Sequence, residues 1–165
     1  MGGIRHLPDG EPAFSVDGVL TRYDAQGRRT HLVETVGDCE KLSKIPGRDL
    51  VLFNLGVAGR AELRRTSDLT LVRSFASPKP QLTRSAAVFA ATPAPAGRHV
   101  IFVEGYTREW RMNGVLRVWT LAGVEVQNVI LGDSPPTSVA VSPDGRTVAV
   151  GFWESTRVRL WRVGP

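Results

Sequence analysis

The chain holds one cysteine, Cys39, and only three lysines, Lys41, Lys44 and Lys79, among its 21 basic residues. A lone thiol excludes an intramolecular disulfide framework and fits a reducing compartment, so a cytoplasmic protein is the expectation. Cys39 itself reads as a structural thiol, since reactivity needs special surroundings. Long hydrophobic runs are also missing. None approaches the ~20 residues of a membrane helix, and "MGGIRHLPDG" at the N-terminus lacks the apolar segment of a secretory signal. Its sixth residue is His6 rather than Ser or Thr, which leaves the myristoylation pattern incomplete. No membrane partner is expected.

Catalytic signatures are absent too. His6, His31 and His99 have no metal-type spacing, and there is no HExxH, CxxC, P-loop or GxSxG pattern. Asp9 and Asp144 each precede glycine in a Pro-Asp-Gly turn, where the side chain stabilises the bend. Glu104 and Glu109 fall in no constellation. The expectation is a non-enzyme with no catalytic residues, no metal and no cofactor.

With lysine scarce, arginine carries most of the positive charge, a net +5 with a pI near 10.1. The arginines are spread along the chain and often stand near acids, as in "TREWR" (107–111). No basic run and no nucleic-acid motif accompanies them. A solvated, arginine-rich surface is therefore expected, and nucleic-acid binding is compatible with the charge but not favoured.

What the sequence does have is a series of β-forming runs between Pro/Gly turns. The turns are "PDG" (8–10), "PGRD" (46–49), "PAPAG" (93–97) and "PDG" (143–145). After them come "EPAFSVDG" (11–18), "LVLFNLG" (50–56), "HVIFVEG" (99–105) and "TVAVG" (147–151), rich in Val, Ile, Phe and Leu as buried strands require. Further strands, "SAAVFAA" (85–91) and "TSVAVS" (137–142), precede the last two turns. Aligning "VLTRYDAQGRRT" (19–30) with "VLRVWTLAGVEV" (115–126) at an offset of 96 matches Tyr23 to Trp119 and Gly27 to Gly123. The terminal "VRLWRV" (158–163) falls on "LRVWTL" (116–121) at an offset of 42, matching Trp161 to Trp119. No segment of ten residues shows helical periodicity. The nearest, "ELRRTSDLTLVRSF" (62–75), fits two strands around the turn "TSD" (66–68). The expectation is an all-β domain over 1–165, built from units at about 3–36, 39–76, 84–132 and 137–163.

The run "SVAVSPDGRTVAV…VRLWRV" resembles a WD40-type β-propeller blade, and the whole chain is similar to about four such blades. The resemblance is most specific in the last unit and only pattern-level in the first two. It implies a β-propeller of four-stranded antiparallel blades stacked radially. The Gly-His pair that opens a WD40 blade is missing. Trp119-Thr120 and Trp161-Arg162 replace the Trp-Asp pair, with Tyr23-Asp24 its one echo. The resemblance therefore carries over only the structural anchors Tyr23, Trp119 and Trp161, and not the His–Ser–Asp–Trp network. The fourth unit lacks its outer strand, and WD40-like propellers usually have seven or eight blades. Half of a larger ring, completed by a second copy or another chain, is expected, with a small four-bladed ring as the alternative.

Candidate binding residues lie in the connection "EGYTREWRMNG" (104–114), longer than its counterpart "DG" (17–18). Tyr106, Arg108, Trp110 and Arg111 are residue types enriched in interaction hot spots. Trp153 holds the matching place in "GFWEST" (151–156). The resemblance implies a protein-interaction scaffold or sensor module, in bacteria often part of a larger signalling or defence system. The alternative is a lectin-like propeller whose aromatics stack on sugars.

Overall fold

In the computed structural model, residues 3–7, 10–35, 39–56, 59–76, 86–108, 111–132, 134–153, 156 and 158–163 are described. The β-rich runs become strands and the Pro/Gly segments become the reversals between them, giving four antiparallel meanders in chain order. Sheet 1 comprises β1 (Gly3–His6), β2 (Pro12–Val16), β3 (Val19–Tyr23) and β4 (Arg29–Glu34). Sheet 2 comprises β5 (Lys41–Lys44), β6 (Leu50–Asn54), β7 (Arg60–Arg65) and β8 (Leu71–Ala76). Sheet 3 comprises β9 (Ala86–Pro93), β10 (His99–Arg108), β11 (Arg111–Thr120) and β12 (Glu125–Gly132). Sheet 4 comprises β13 (Pro136–Val141), β14 (Thr147–Phe152) and β15 (Val158–Arg162). The all-β expectation holds, with no α-helix among the described residues.

The sheets repeat one another in hydrogen bonding as well as in order. The turn between the first and second strands closes the same way three times. Ile45 N donates to Leu50 O (2.9 Å), Ala94 N to His99 O (2.9 Å) and Ser142 N to Thr147 O (2.8 Å). Sheet 1 makes a version one residue shorter, Leu7 N to Glu11 O (2.9 Å). The third strand repeats too. A bulge falls between Arg22 and Tyr23, between Leu63 and Arg64, and between Val118 and Trp119, each time skipping one residue of the fourth strand. Tyr23, Arg64 and Trp119 therefore occupy one structural position. Arg64, Trp119 and Trp161 also stand opposite Val51, Val100 and Val148 of their second strands.

Side-chain alternation gives every strand two faces, and the core lies between sheets rather than inside any one of them. Leu7, Ala13 and Leu20 of sheet 1 pack with Val51, Phe53 and Leu69 of sheet 2. Leu52, Leu63 and Phe75 of sheet 2 pack with Val100 and Phe102 of sheet 3. Ile101, Val103, Leu116 and Val118 of sheet 3 pack with Val148, Val150 and Phe152 of sheet 4. The first strands lie side by side, β1 touching β5, β5 touching β9 and β9 touching β13.

The anchor position reaches toward the preceding sheet. Trp119 packs edge-on against Phe75 of β8, with ring centroids 6.1 Å apart, and Trp161 joins the third core beside Phe152 at 6.2 Å. Trp119 Nε1 is buried without a hydrogen-bond partner, in keeping with the absence of a His–Ser–Asp–Trp network. Trp119→Phe keeps the aromatic contact and removes an N–H that bonds nothing. It should cost clearly less than Trp119→Ala, which should cost about 3 kcal/mol or more. Urea unfolding of the two variants separates these outcomes, and equal losses would contradict the packing role.

Candidate interaction surfaces

Strand order divides the loops between two rims. Connections from second to third strand lie on one rim, and turns from first to second and from third to fourth strand lie on the other. On the first rim the sequence placed Tyr106, Arg108, Trp110 and Arg111 in an enlarged loop. Most of that segment is instead a ribbon. β10 and β11 stay paired through Tyr106↔Asn113 and Thr107↔Met112 to Arg108↔Arg111. The flanking strands stop earlier, β9 at Tyr106 and β12 at Gly114, so the end of the ribbon overhangs the sheet. Tyr, Thr and Met are tolerated in a ladder, which is why these residues extend the strands rather than interrupt them. Trp110 lies outside the described residues. Trp153 follows β14 on the same rim, 62% exposed, and its backbone N–H donates to Pro135 O at 2.9 Å. It is a large apolar side chain presented to solvent from a backbone held in place.

The structural anchors divide differently. Trp119 and Trp161 sit in inter-sheet cores, while Tyr23 is half-buried on the face of sheet 1 that points away from sheet 2. Sequence reasoning missed the fourth member. Arg64 replaces the aromatic in sheet 2, forms a buried ion pair with Glu62 (2.7 Å), and donates to Leu69 O (2.8 Å) and Glu34 O (3.3 Å). Its guanidinium also lies 5.7 Å from the Phe53 ring centroid. Nothing in a search for aromatics would have found it. The repeated bulge does.

The expected solvated arginine surface needs correction on the same ground. Arg22, Arg64 and Arg117 are buried. Arg22 pairs with Glu11 and donates to Thr66 O and Ser67 O across to sheet 2. Arg117 bonds Glu104 Oε2 (3.1 Å) and Glu125 Oε2 (2.8 Å). Arginine's rigid fork of donors lets one buried cation serve several acceptors at once, so part of the positive charge is internal. Glu104 is thus engaged by arginine, and no group of three or more metal-ligating side chains converges among the described residues.

The second rim carries two clefts that the sequence reading did not anticipate. One, of about 720 Å³, lies between sheets 1 and 2 and is lined by Arg22, Lys44, Arg48, Asp49 and Thr66. The other, of about 890 Å³, lies between sheets 3 and 4, with Arg98, His99, Asp144, Arg146 and Arg162 in its walls. The signal was present in the turns. Gly-Arg recurs at 47–48, 97–98 and 145–146, and all three arginines are exposed.

No protein-family model matches the sequence, and no curated protein does so either. Solved structures do. The C-terminal WD40 domain of Sif2 superposes with a TM-score of 0.72 at 11% identity, over 99% of this chain and 46% of that one. The β-propeller domain of Cps50 (Swd1) from Myceliophteria thermophila gives 0.68 at 15%, over 98% and 51%. The chain has a WD40-like β-propeller-type fold. A hydrazine synthase from Kuenenia stuttgartiensis also matches, with a TM-score of 0.71 at 15% identity, over 90% of this chain and 42% of that one. At these identities the likeness is one of fold, and the fold is used by an enzyme as well as by WD40 domains. The chain spans about half the length of the propeller structures it matches, and its four sheets are WD40-like blades.

The blade turns carry three aspartates, Asp24 half-buried and Asp68 and Asp144 exposed, whose carboxyls sit below their ordinary value of 3.8. Asp24 is lowered chiefly by the Arg28 backbone N–H, Asp68 by the Thr70 N–H, and Asp144 by the Ser142 hydroxyl and then the Arg146 N–H. Because folding lowers these values, the ionised carboxylates stabilise the blades above pH 3.8, and that contribution is lost as pH falls through the lowered values. Asp24→Asn and Asp144→Asn should therefore be less stable than the parent at pH 7. The gap should close below about pH 4 in denaturation curves recorded across pH. A gap independent of pH would contradict the turn assignment.

Proposed function

We propose that the chain is a non-catalytic protein-interaction module, a cytoplasmic scaffold or sensor element. It presents partners with the rim formed by the β10–β11 ribbon and Trp153, and a second chain completes its open arc. The observation that carries this reading is Trp153, a tryptophan 62% exposed whose backbone N–H is hydrogen-bonded to Pro135 O. Exposed tryptophan and arginine on a fixed scaffold are what interaction hot spots use. The neighbouring ribbon adds Tyr106, Arg108 and Arg111 by position in the ladder. WD40 domains among the structural neighbours support the scaffold reading by fold.

The test is capture by the immobilised chain, compared with Trp153→Ala and with Trp153→Ala/Arg111→Ala. Loss of two hot spots should weaken a captured protein at least tenfold, about 1.4 kcal/mol or more. The thermal midpoint should stay unchanged, since Trp153 packs in no core. Capture unaffected by both variants would discard the rim. Binding of the wild-type chain on a glycan array, lost in the same variants, would assign the rim to sugars instead.

A further inference from the structure

The residues one and three places before the anchor in the third strand show what each blade offers to the next. In blade 2 they are Leu63 and Ala61, 1% and 0% exposed. In blade 3 they are Val118 and Leu116, 2% and 0%. In blade 1 they are Arg22 and Leu20, both buried against blade 2. In blade 4 the same two places hold Leu160 and Val158, opposite Ala149 and Gly151, and there they are 68% and 63% exposed. Residue type and register are those of an inter-blade core, and no blade among the described residues covers them.

Blade 1 presents the complementary face. Leu20 and Arg22 point into blade 2, so alternation along β3 puts Val19, Thr21 and the anchor Tyr23 on the opposite side. Each internal junction is made by such an anchor face meeting the preceding blade, as Trp119 meets Phe75. On the strand beside it, blades 2 and 3 have Ser74 and Asn128 opposite Glu62 and Arg117, whereas blade 1 has the exposed Leu32 opposite Thr21. The open face of blade 1 is the more apolar for it.

We propose that the occupant of both faces is a second copy of this chain, joined head to tail. Blade 4 of each copy packs on blade 1 of the other, so Leu160 and Val158 meet the Tyr23 and Leu32 face twice, and eight blades close around a twofold axis. This rests on the reading that a second chain completes the arc, and it names that chain and the surfaces that meet. Two observations single out a copy. The arc spans 46% and 51% of the two WD40 and β-propeller domains it matches, so two arcs make one ring. The two exposed faces also stand in the relation of one blade to its successor. A twofold arrangement, in which blade 4 meets blade 1 at both junctions, satisfies both without leaving an edge.

The mass of the 165-residue chain in solution tests it by light scattering during gel filtration. The wild-type chain should run at twice 18.0 kDa, and Leu160→Glu and Leu32→Glu should each run as the 18.0 kDa monomer with an unchanged β spectrum. Both side chains are already exposed in the single arc, so neither change should unfold it. An equimolar mixture of the two variants should recover a dimer, because one intact junction remains between them. A wild-type monomer at about 100 µM, well above a standard interface's Kd, would overturn the proposal. So would a dimer that survives Leu160→Glu, or one that breaks with Leu160→Glu but not Leu32→Glu, which would mean blade 4 pairing with itself. Trp153→Ala should leave the mass unchanged, so failure of rim capture and failure of ring closure are read separately.

Discussion

A four-stranded antiparallel sheet of about 40 residues has two faces, and in this sequence neither face is polar enough to stand in water. Every structural feature of the chain follows from covering those faces with the next sheet. The three cores are all inter-sheet, each blade giving one row of side chains forward and one row back. The anchor position in the third strand is where this contact is made most directly. Trp119 reaches Phe75, Arg64 reaches the Glu34 carbonyl, and Arg159 near the fourth anchor donates to Leu131 O at 3.0 Å. A blade with no neighbour on one side keeps an apolar face in the open, as blades 1 and 4 do.

Buried arginine is the second theme, and it departs from an apolar junction. A buried ion pair contributes little net stability, because desolvation offsets the attraction, but breaking one leaves an uncompensated charge. Arg22, Arg64 and Arg117 each bond a carboxylate, and Arg22 and Arg64 also bond main-chain carbonyls of the neighbouring blade. These bonds need one relative position of the two blades. Arginine here fixes the stacking geometry, and apolar contact supplies the driving force.

Much of the architecture was legible in the residues. The Pro/Gly turns, the apolar runs and the aligned Tyr23, Trp119 and Trp161 were enough to place four units and a WD40-like fold. β5 was harder, since Lys41-Leu42-Ser43-Lys44 has one apolar residue and becomes a strand through its pairing with β6. Arg64 was invisible as an anchor because its equivalence rests on a bulge, which is backbone geometry and not residue type. The segment 104–114 was read as a loop because glycines at 105 and 114 interrupt its apolar pattern, although they sit opposite each other and leave the ladder from Glu104 to Arg108 and Arg111 to Gly114 intact. The clefts of the second rim depend on blades packed side by side, and no single unit contains them.

The central claim is that the fold stands on contacts between blades made at the anchor position. A double-mutant cycle on Trp119 and Phe75, which belong to different blades, tests it most directly. Unfolding of Trp119→Ala, Phe75→Ala and the double variant in urea should give a coupling of about 1 kcal/mol, as an edge-on aromatic pair does. Additive losses, with a coupling under about 0.3 kcal/mol, would contradict it.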